Sequence, residues 1–212
     1  EGGGAAVLGS IQPQPIENEK DGSISLAKLQ AAIKPIDPHF ARTKLLSLEN
    51  TINGKVLPLS YLKAAREFVD QNALQMHLDG ARVYNAAIAL QIDIKEISQY
   101  FDSMAICLSK GLGAPIGSLL LGSTALIDSA RRWRKVLGGG MRQAGLIAAA
   151  GHYALTHNVQ RLVEDHANAR HLAEQLAMIQ GINVNPEHVQ TNMVFAKLDA
   201  RIDQLALCEA LQ

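Results

Sequence analysis

Short apolar runs closed by turn-forming residues alternate with stretches of helical period through the first 122 positions. Lys44 to Leu48 is one such run. It passes through Glu49-Asn50-Thr51 to a turn at Asn53-Gly54 and reads as a buried strand. Pro58 and Ser60 open the helical pattern SYLKAAREFVDQN, with Leu62, Ala65 and Val69 on one face and Tyr61, Ala64 and Phe68 beside them. MHL then reads as a strand ending in Asp79-Gly80, and ARVYNAAIAL as the helix after it. MAICLS is a further apolar strand, ending at Ser109-Lys110-Gly111-Leu112-Gly113, and Ile116 to Leu121 another. Ser123 caps a helix TALIDSARRWRKV, which stops at Gly138-Gly139-Gly140. A second helix begins near Met141, and helical patterning persists to about Ile179. The first forty residues are irregular, punctuated by Gly2 to Gly4, Pro13, Pro15, Pro35 and Pro38, with one short helix in SISLAKLQAAI capped by Ser25. MVFAKL is strand-like, and a last helix starts after Asp199.

Short apolar runs bounded by turns suit strands buried on both faces. The expected fold class is α/β, a mostly parallel sheet between helices. After residue 156 the pattern changes to a long helix and a strand–helix unit. The expected division is therefore a large domain over 1–156 and the start of a small C-terminal α/β domain over 157–212.

Composition narrows the function classes. The chain has 212 residues, 48% hydrophobic and 19% charged, which is globular rather than disordered. Lys plus Arg and Asp plus Glu are both 20, so the basic excess of a nucleic-acid binder is missing. The cluster Arg131, Arg132, Arg134 and Lys135 around Trp133 reads as a solvated face or a subunit contact. Two cysteines, Cys107 and Cys208, are too few for a secreted disulfide scaffold, and Cys107 reads as a buried small hydrophobe. No run approaches the ~20 apolar residues of a membrane span, and a cytoplasmic location is the expectation. Both ends look cut, since the chain begins Glu1-Gly2-Gly3-Gly4 and stops at Gln212 inside a helical pattern. A fragment of a longer protein is expected.

In open parallel sheets ligands bind beyond the carboxyl ends of the strands. Three polar groups fall there: Glu49-Asn50-Thr51, Asp79-Gly80-Ala81-Arg82, and Ser109-Lys110. A lysine at the mouth of an apolar site is favoured in its neutral form and can form a Schiff base with a carbonyl. The glycines beside Lys110 let backbone approach a ligand. An ordinary surface lysine fits the same spacing. A carboxylate at the depth of Asp79 can hold a protonated ring nitrogen, as pyridoxal phosphate chemistry requires, with Arg82 bonding the phenolic oxygen. A helix-capping Asp fits equally. Gly138-Gly139-Gly140-Met141-Arg142 entering a helix offers an anion site or a plain turn. No P-loop, HExxH or CxxC occurs, Gly111-Leu112-Gly113 lacks a third glycine, and His152/His157 and His166/His171 are five apart rather than three or four. No metal is expected.

Together the strings SLENT-x-NGKVLP, HLDGAR, CLSKGLGAPIGSLLLG and RRWRKVLGGGMRQAG resemble the low-specificity L-threonine aldolases, in that family's order and spacing and over nearly the whole chain. The resemblance implies the aspartate aminotransferase fold and pyridoxal 5′-phosphate as cofactor. It implies a Schiff base on Lys110, Asp79 on the pyridinium nitrogen, Arg82 on the phenolic oxygen, and Ser109 and Arg142 near the phosphate. The reaction implied is retro-aldol cleavage of L-threonine or L-allo-threonine to glycine and acetaldehyde. The partners implied are a small amino acid substrate and further copies of the chain, in a homodimer or homotetramer, with no nucleic acid and no membrane.

Glu49 and Ile52 stand on the substrate side. The family carries His where Ile52 stands, and isoleucine can take no proton. The family's Gly-Thr phosphate loop, ring-stacking His and carboxylate-binding Arg also have no counterpart in these residues, which implies little or no turnover by the 212 residues alone. Two other readings compete: another pyridoxal phosphate lyase of the same fold acting on β-hydroxy amino acids, which Ile52 favours, and a truncated inactive remnant.

Overall fold

The computed structural model describes residues 2–211. Its centre is a four-stranded sheet of β1 (Leu45–Glu49), β2 (Gln75–Asp79), β3 (Ser103–Cys107) and β4 (Ser118–Gly122), in that spatial order. The first three strands are parallel and β4 returns antiparallel to β3. The mostly parallel α/β reading holds. The strands begin and end within two residues of the expected positions, because each is an apolar run cut off by a turn.

One expectation fails. The strands are not buried on both faces. Leu46, Leu48, Met76, Leu78, Met104 and Ile106 are buried on one side, while Ser47, Glu49, His77, Asp79, Ser103 and Cys107 on the other are exposed or half-buried. Polar residues hold most of the alternate positions there, Leu45 and Ala105 excepted, which is the alternation of a sheet with one wet face.

The buried side packs on α3 (Leu59–Gln71) and α4 (Val83–Leu90). In α3, Leu62, Ala65, Phe68 and Val69 are buried, spaced three, three and one apart, so one stripe meets the sheet. Each fully buried leucine here contributes roughly 1.5–3 kcal/mol of transfer free energy. Tyr61 at the edge of this stripe exchanges two 3.0 Å hydrogen bonds with the backbone of Ile24, tying down the irregular N-terminal stretch. That stretch holds α2 (Leu26–Ala32), as expected, and α1 (Gly4–Gly9), which its glycines hid from the sequence reading. Ser25 stands at the head of α2 but makes no capping bond.

The starts of β2 and β3 are fastened by one carboxylate. Asp102 accepts from the Met76 N–H at 2.7 Å and from Arg66 at 3.0 Å. Burial raises its pKa, but these bonds and the Arg66 charge outweigh burial and hold the carboxyl below its ordinary range. A depressed folded value means stability that is present above the unfolded pKa and lost as pH falls through the folded one. The Asp102→Asn protein is therefore expected to be less stable at pH 7, with the gap closing below about pH 4. Urea midpoints at pH 7 and pH 3 measure this.

Short α5 (Ile94–Ser98) precedes β3, and α6 (Thr124–Val136) follows β4. Ser123 caps α6 as expected, accepting from the Leu126 N–H at 3.3 Å. The helical run to Ile179 is two helices, α7 (Gly145–His157) and α8 (Leu162–Ala177), broken at Asn158 to Arg161. Beyond them, β5 (Ile182–Asn183) and β6 (Lys197–Leu198) form a separate antiparallel pair, and α9 (Gln204–Ala210) is capped by Asp203. Only the last two residues of MVFAKL are strand. The segment 190–193 packs instead on the loop after β1, where Thr191 donates to the Gly54 carbonyl at 2.7 Å and the Val56 N–H to Gln190 at 2.7 Å.

Candidate active site

The carboxyl ends of β1, β2 and β3 lie side by side. Glu49 is in register with Asp79, and Asp79 with Ala105, so both carboxylates sit at one height on the wet face. The chain leaves β2 through Gly80, whose N–H donates to the Ala105 carbonyl at 2.8 Å. A Cβ at Gly80 would lie 2.7 Å from that carbonyl oxygen, so only glycine fits. This tight exit swings Arg82 to the head of α4.

Asp79 does not cap that helix. One of its oxygens accepts from the Ala81 N–H at 3.0 Å, and Arg82 occupies the cap position. Among the described residues the other oxygen takes no hydrogen bond. Arg82 is half-buried, and its Nε is buried without a partner. Unpaired buried donors are uncommon and call for an acceptor.

Glu49 is the electrostatic centre of the group. Burial raises its carboxyl pKa first and the Asp79 charge adds to this, opposed by Arg82 and Lys110. Asp79, Arg82 and Lys110 thus all lie within electrostatic reach of Glu49. Lys110 itself is exposed. It stands on a polar rim rather than at the mouth of an apolar site, because the face behind it is the hydrophilic side of the sheet.

Cys107 is not the buried hydrophobe expected. It is half-buried on the wet face, its Sγ 3.4 Å from the Ser109 Oγ. Burial raises its thiol pKa, but bonds to Ser109 and the charges of Lys110 and Arg82 bring it below the ordinary value. Ser109 is thus tied to Cys107. Ile52 packs on the N-terminal stretch, where its Cγ2 lies so close to Gly22 that a Cβ there would collide with it. Arg142 lies in the exposed stretch before α7, with no hydrogen bond or ion pair among the described residues, and the structure does not bring it to the group. Among the described residues no cluster of three His, Cys, Asp or Glu is placed for a metal, and no helix is long and apolar enough to cross a membrane.

Residues that the sequence reading passed over brace this group. Asn158 bonds the turn after Lys110, and Leu162 packs on Gly111. The buried Asn85 amide nitrogen lies 3.1 Å from His166 Nε2, whose pKa burial lowers. An asparagine at a helix end carries a known signal for termination, but nothing local says which carbonyl it meets.

The sequence model of the beta-eliminating lyases matches residues 1–199. The chain belongs to the beta-eliminating lyase family. Among its relatives, the low specificity L-threonine aldolase of Escherichia coli (strain K12) is 59% identical over 198 residues, covering 93% of this chain and 59% of that protein. Low-specificity L-threonine aldolase 1 of Arabidopsis thaliana is 41% identical over 206 residues, covering 94% and 57%. The chain thus spans somewhat under two thirds of the length of these curated relatives. The solved structure of Leishmania major threonine aldolase superposes with a TM-score of 0.73 at 20% identity, covering 94% of this chain and 57% of that one, and shares its fold.

Proposed function

We propose that this lyase holds pyridoxal 5′-phosphate on Lys110 and cleaves L-threonine or L-allo-threonine to glycine and acetaldehyde. The observation that carries the reading is the meeting of Glu49, Asp79, Arg82 and Lys110 at the carboxyl ends of three adjacent strands. The threonine aldolases among its relatives support it.

The residues present fit the cofactor. An exposed primary amine, a carboxylate with one oxygen taking no hydrogen bond among the described residues, and a half-buried guanidinium with an unpaired Nε all lie within electrostatic reach of Glu49. Lys110 would hold the cofactor's carbonyl carbon, Asp79 the proton on its ring nitrogen, and Arg82 its phenolic oxygen. When bound, pyridoxal phosphate supplies the electron sink for the pair released as the Cα–Cβ bond breaks. Glu49 would take the proton of the substrate's β-hydroxyl. Its raised pKa brings the carboxylate closer to the operating range of a general base, a contribution of typically ~10²–10⁴-fold. Ile52, packed toward Gly22, leaves that task to Glu49 or to a water it orients. Ser109, two residues from Cys107, would lie beside the phosphate.

The reading extends to assembly and organisation. A homodimer or homotetramer is supported by the exposed apolar residues Trp133, Val136, Met141 and Leu146 around Arg142, a composition suited to an interface. A smaller C-terminal unit from about residue 157 is supported by the separate β5–β6 pair.

Borohydride reduction of the protein after incubation with pyridoxal phosphate tests the reading. A single phosphopyridoxyl adduct on Lys110 is expected by mass spectrometry. Adducts spread evenly over exposed lysines would overturn it. Glycine release from threonine, compared with phenylserine, then separates threonine cleavage from another β-hydroxy amino acid lyase activity.

A further inference from the structure

The turn that carries Lys110 is held from two sides. On its own side it closes on itself. The Leu108 N–H donates to the Gly117 carbonyl at 2.9 Å, the Ala114 N–H to the Leu108 carbonyl at 3.0 Å, and the Gly113 N–H to the Lys110 carbonyl at 2.9 Å. On the other side lies the junction of α7 and α8. There the Asn158 side-chain amide donates to the Leu112 carbonyl at 2.7 Å. Leu162, fully buried, covers Gly111 so closely that a Cβ there would lie 2.7 Å from its Cδ2.

Among the described residues Asn158 makes no hydrogen bond to Glu49, Asp79 or Arg82. Its bond reaches the lysine only through the backbone of residues 111 and 112. Leu112 is 4% exposed, so water is a poor substitute for the missing donor if Asn158 lets go. The turn would then have to rotate to satisfy its carbonyl. Gly111 has no side chain to resist this, and Gly113, at φ +76°, already uses the freedom that glycine gives. The flexibility that lets the turn form is thus removed again by one amide.

We propose that Asn158 is a positioning residue for Lys110. By fixing the Leu112 carbonyl it sets where the lysine amine stands relative to Glu49, Asp79 and Arg82. The inference rests on the reading of Lys110 as the cofactor-holding lysine.

Asn158→Asp is the test. It keeps the side chain's shape and replaces the donor with an acceptor. The protein is incubated with pyridoxal phosphate, reduced with borohydride and digested, and the adduct on Lys110 is measured against those on exposed Lys63 and Lys95 in the same digest. That ratio is expected to fall about fivefold, the worth of one ordinary hydrogen bond, while Asn158→Gln, which retains a donor, restores it. A merely structural role would lower the melting temperature without changing the ratio in folded protein. Should Asn158→Asp fail to fold, Asn158→Ala is measured in the same way. A wild-type ratio in the donor-free variant would overturn the positioning role alone. If the unaltered protein shows no preference for Lys110, the cofactor reading falls, and the positioning role falls with it.

Discussion

The Lys110→Ala protein is expected to give no phosphopyridoxyl adduct at residue 110, and in a full-length protein carrying these residues the release of glycine from threonine is expected to fall by at least about 10³-fold. Lys110 is the lysine that the fold delivers to the two strand-end carboxylates. Its charge acts on both the Glu49 carboxyl and the Cys107 thiol. Alanine leaves the turn's backbone bonds intact, because these involve main-chain atoms and the Asn158 amide. The fold is therefore retained while the nucleophile is lost. Circular dichroism and the trapped-adduct assay on the same sample separate the two. A folded Lys110→Ala protein that still cleaves threonine at the original rate would remove Lys110 from the mechanism.

The second large effect is expected at a residue with no chemistry. Gly80→Ala places a methyl group 2.7 Å from the Ala105 carbonyl oxygen, with Met104 Cγ at 3.1 Å and Val83 Cβ at 3.2 Å. Backbone on one side and a helix on the other leave no direction of escape. The ends of β2 and β3 must part, at the point where Asp79 is set and Arg82 begins its helix. Overpacking of this kind costs about 1–3 kcal/mol. A misplacement of ~1 Å at the reacting groups costs about 10²-fold in rate. The urea midpoint gives the first effect, and glycine release by the folded variant gives the second. Equal losses from Gly80→Ala and Gly145→Ala, the latter exposed with no atom within 4 Å of an added Cβ, would show that the close packing at Gly80 has no special part.

Much of this arrangement is legible in the sequence, for reasons that differ by residue. Glu49, Asp79 and Lys110 stand out because each ends an apolar run, and strand ends are where an open parallel sheet presents its ligand groups. The helices α3 and α6 stand out because their apolar spacing and caps are local properties. What depends on distant partners does not. The antiparallel return of β4 leaves no mark in a five-residue apolar run. The break between α7 and α8 falls in a stretch whose residues all tolerate a helix. Of the strand expected in MVFAKL only Lys197 and Leu198 pair, while Met193 packs on Gly54 in the loop after β1. Cys107 reads as a core residue from its apolar neighbours, but alternation puts it on the wet face with Asp79. Asn158 is invisible for the same reason. Its role is set by a carbonyl 46 positions away.

The register of the three parallel strands has a consequence for how this sequence can vary. Leu78, fully buried, and Asp79, exposed, are adjacent residues on opposite faces of β2. Inserting or deleting a single residue within that strand exchanges the two sets, sending Asp79 into the apolar layer and Leu78 to the rim. The group that would bind the cofactor and the layer that holds the helices are consequently inherited together. Point substitutions can change either one alone, whereas a shift in length within β2 changes both at once. Divergence in the strand must proceed residue for residue, and insertions must collect in the turns that join it to its neighbours.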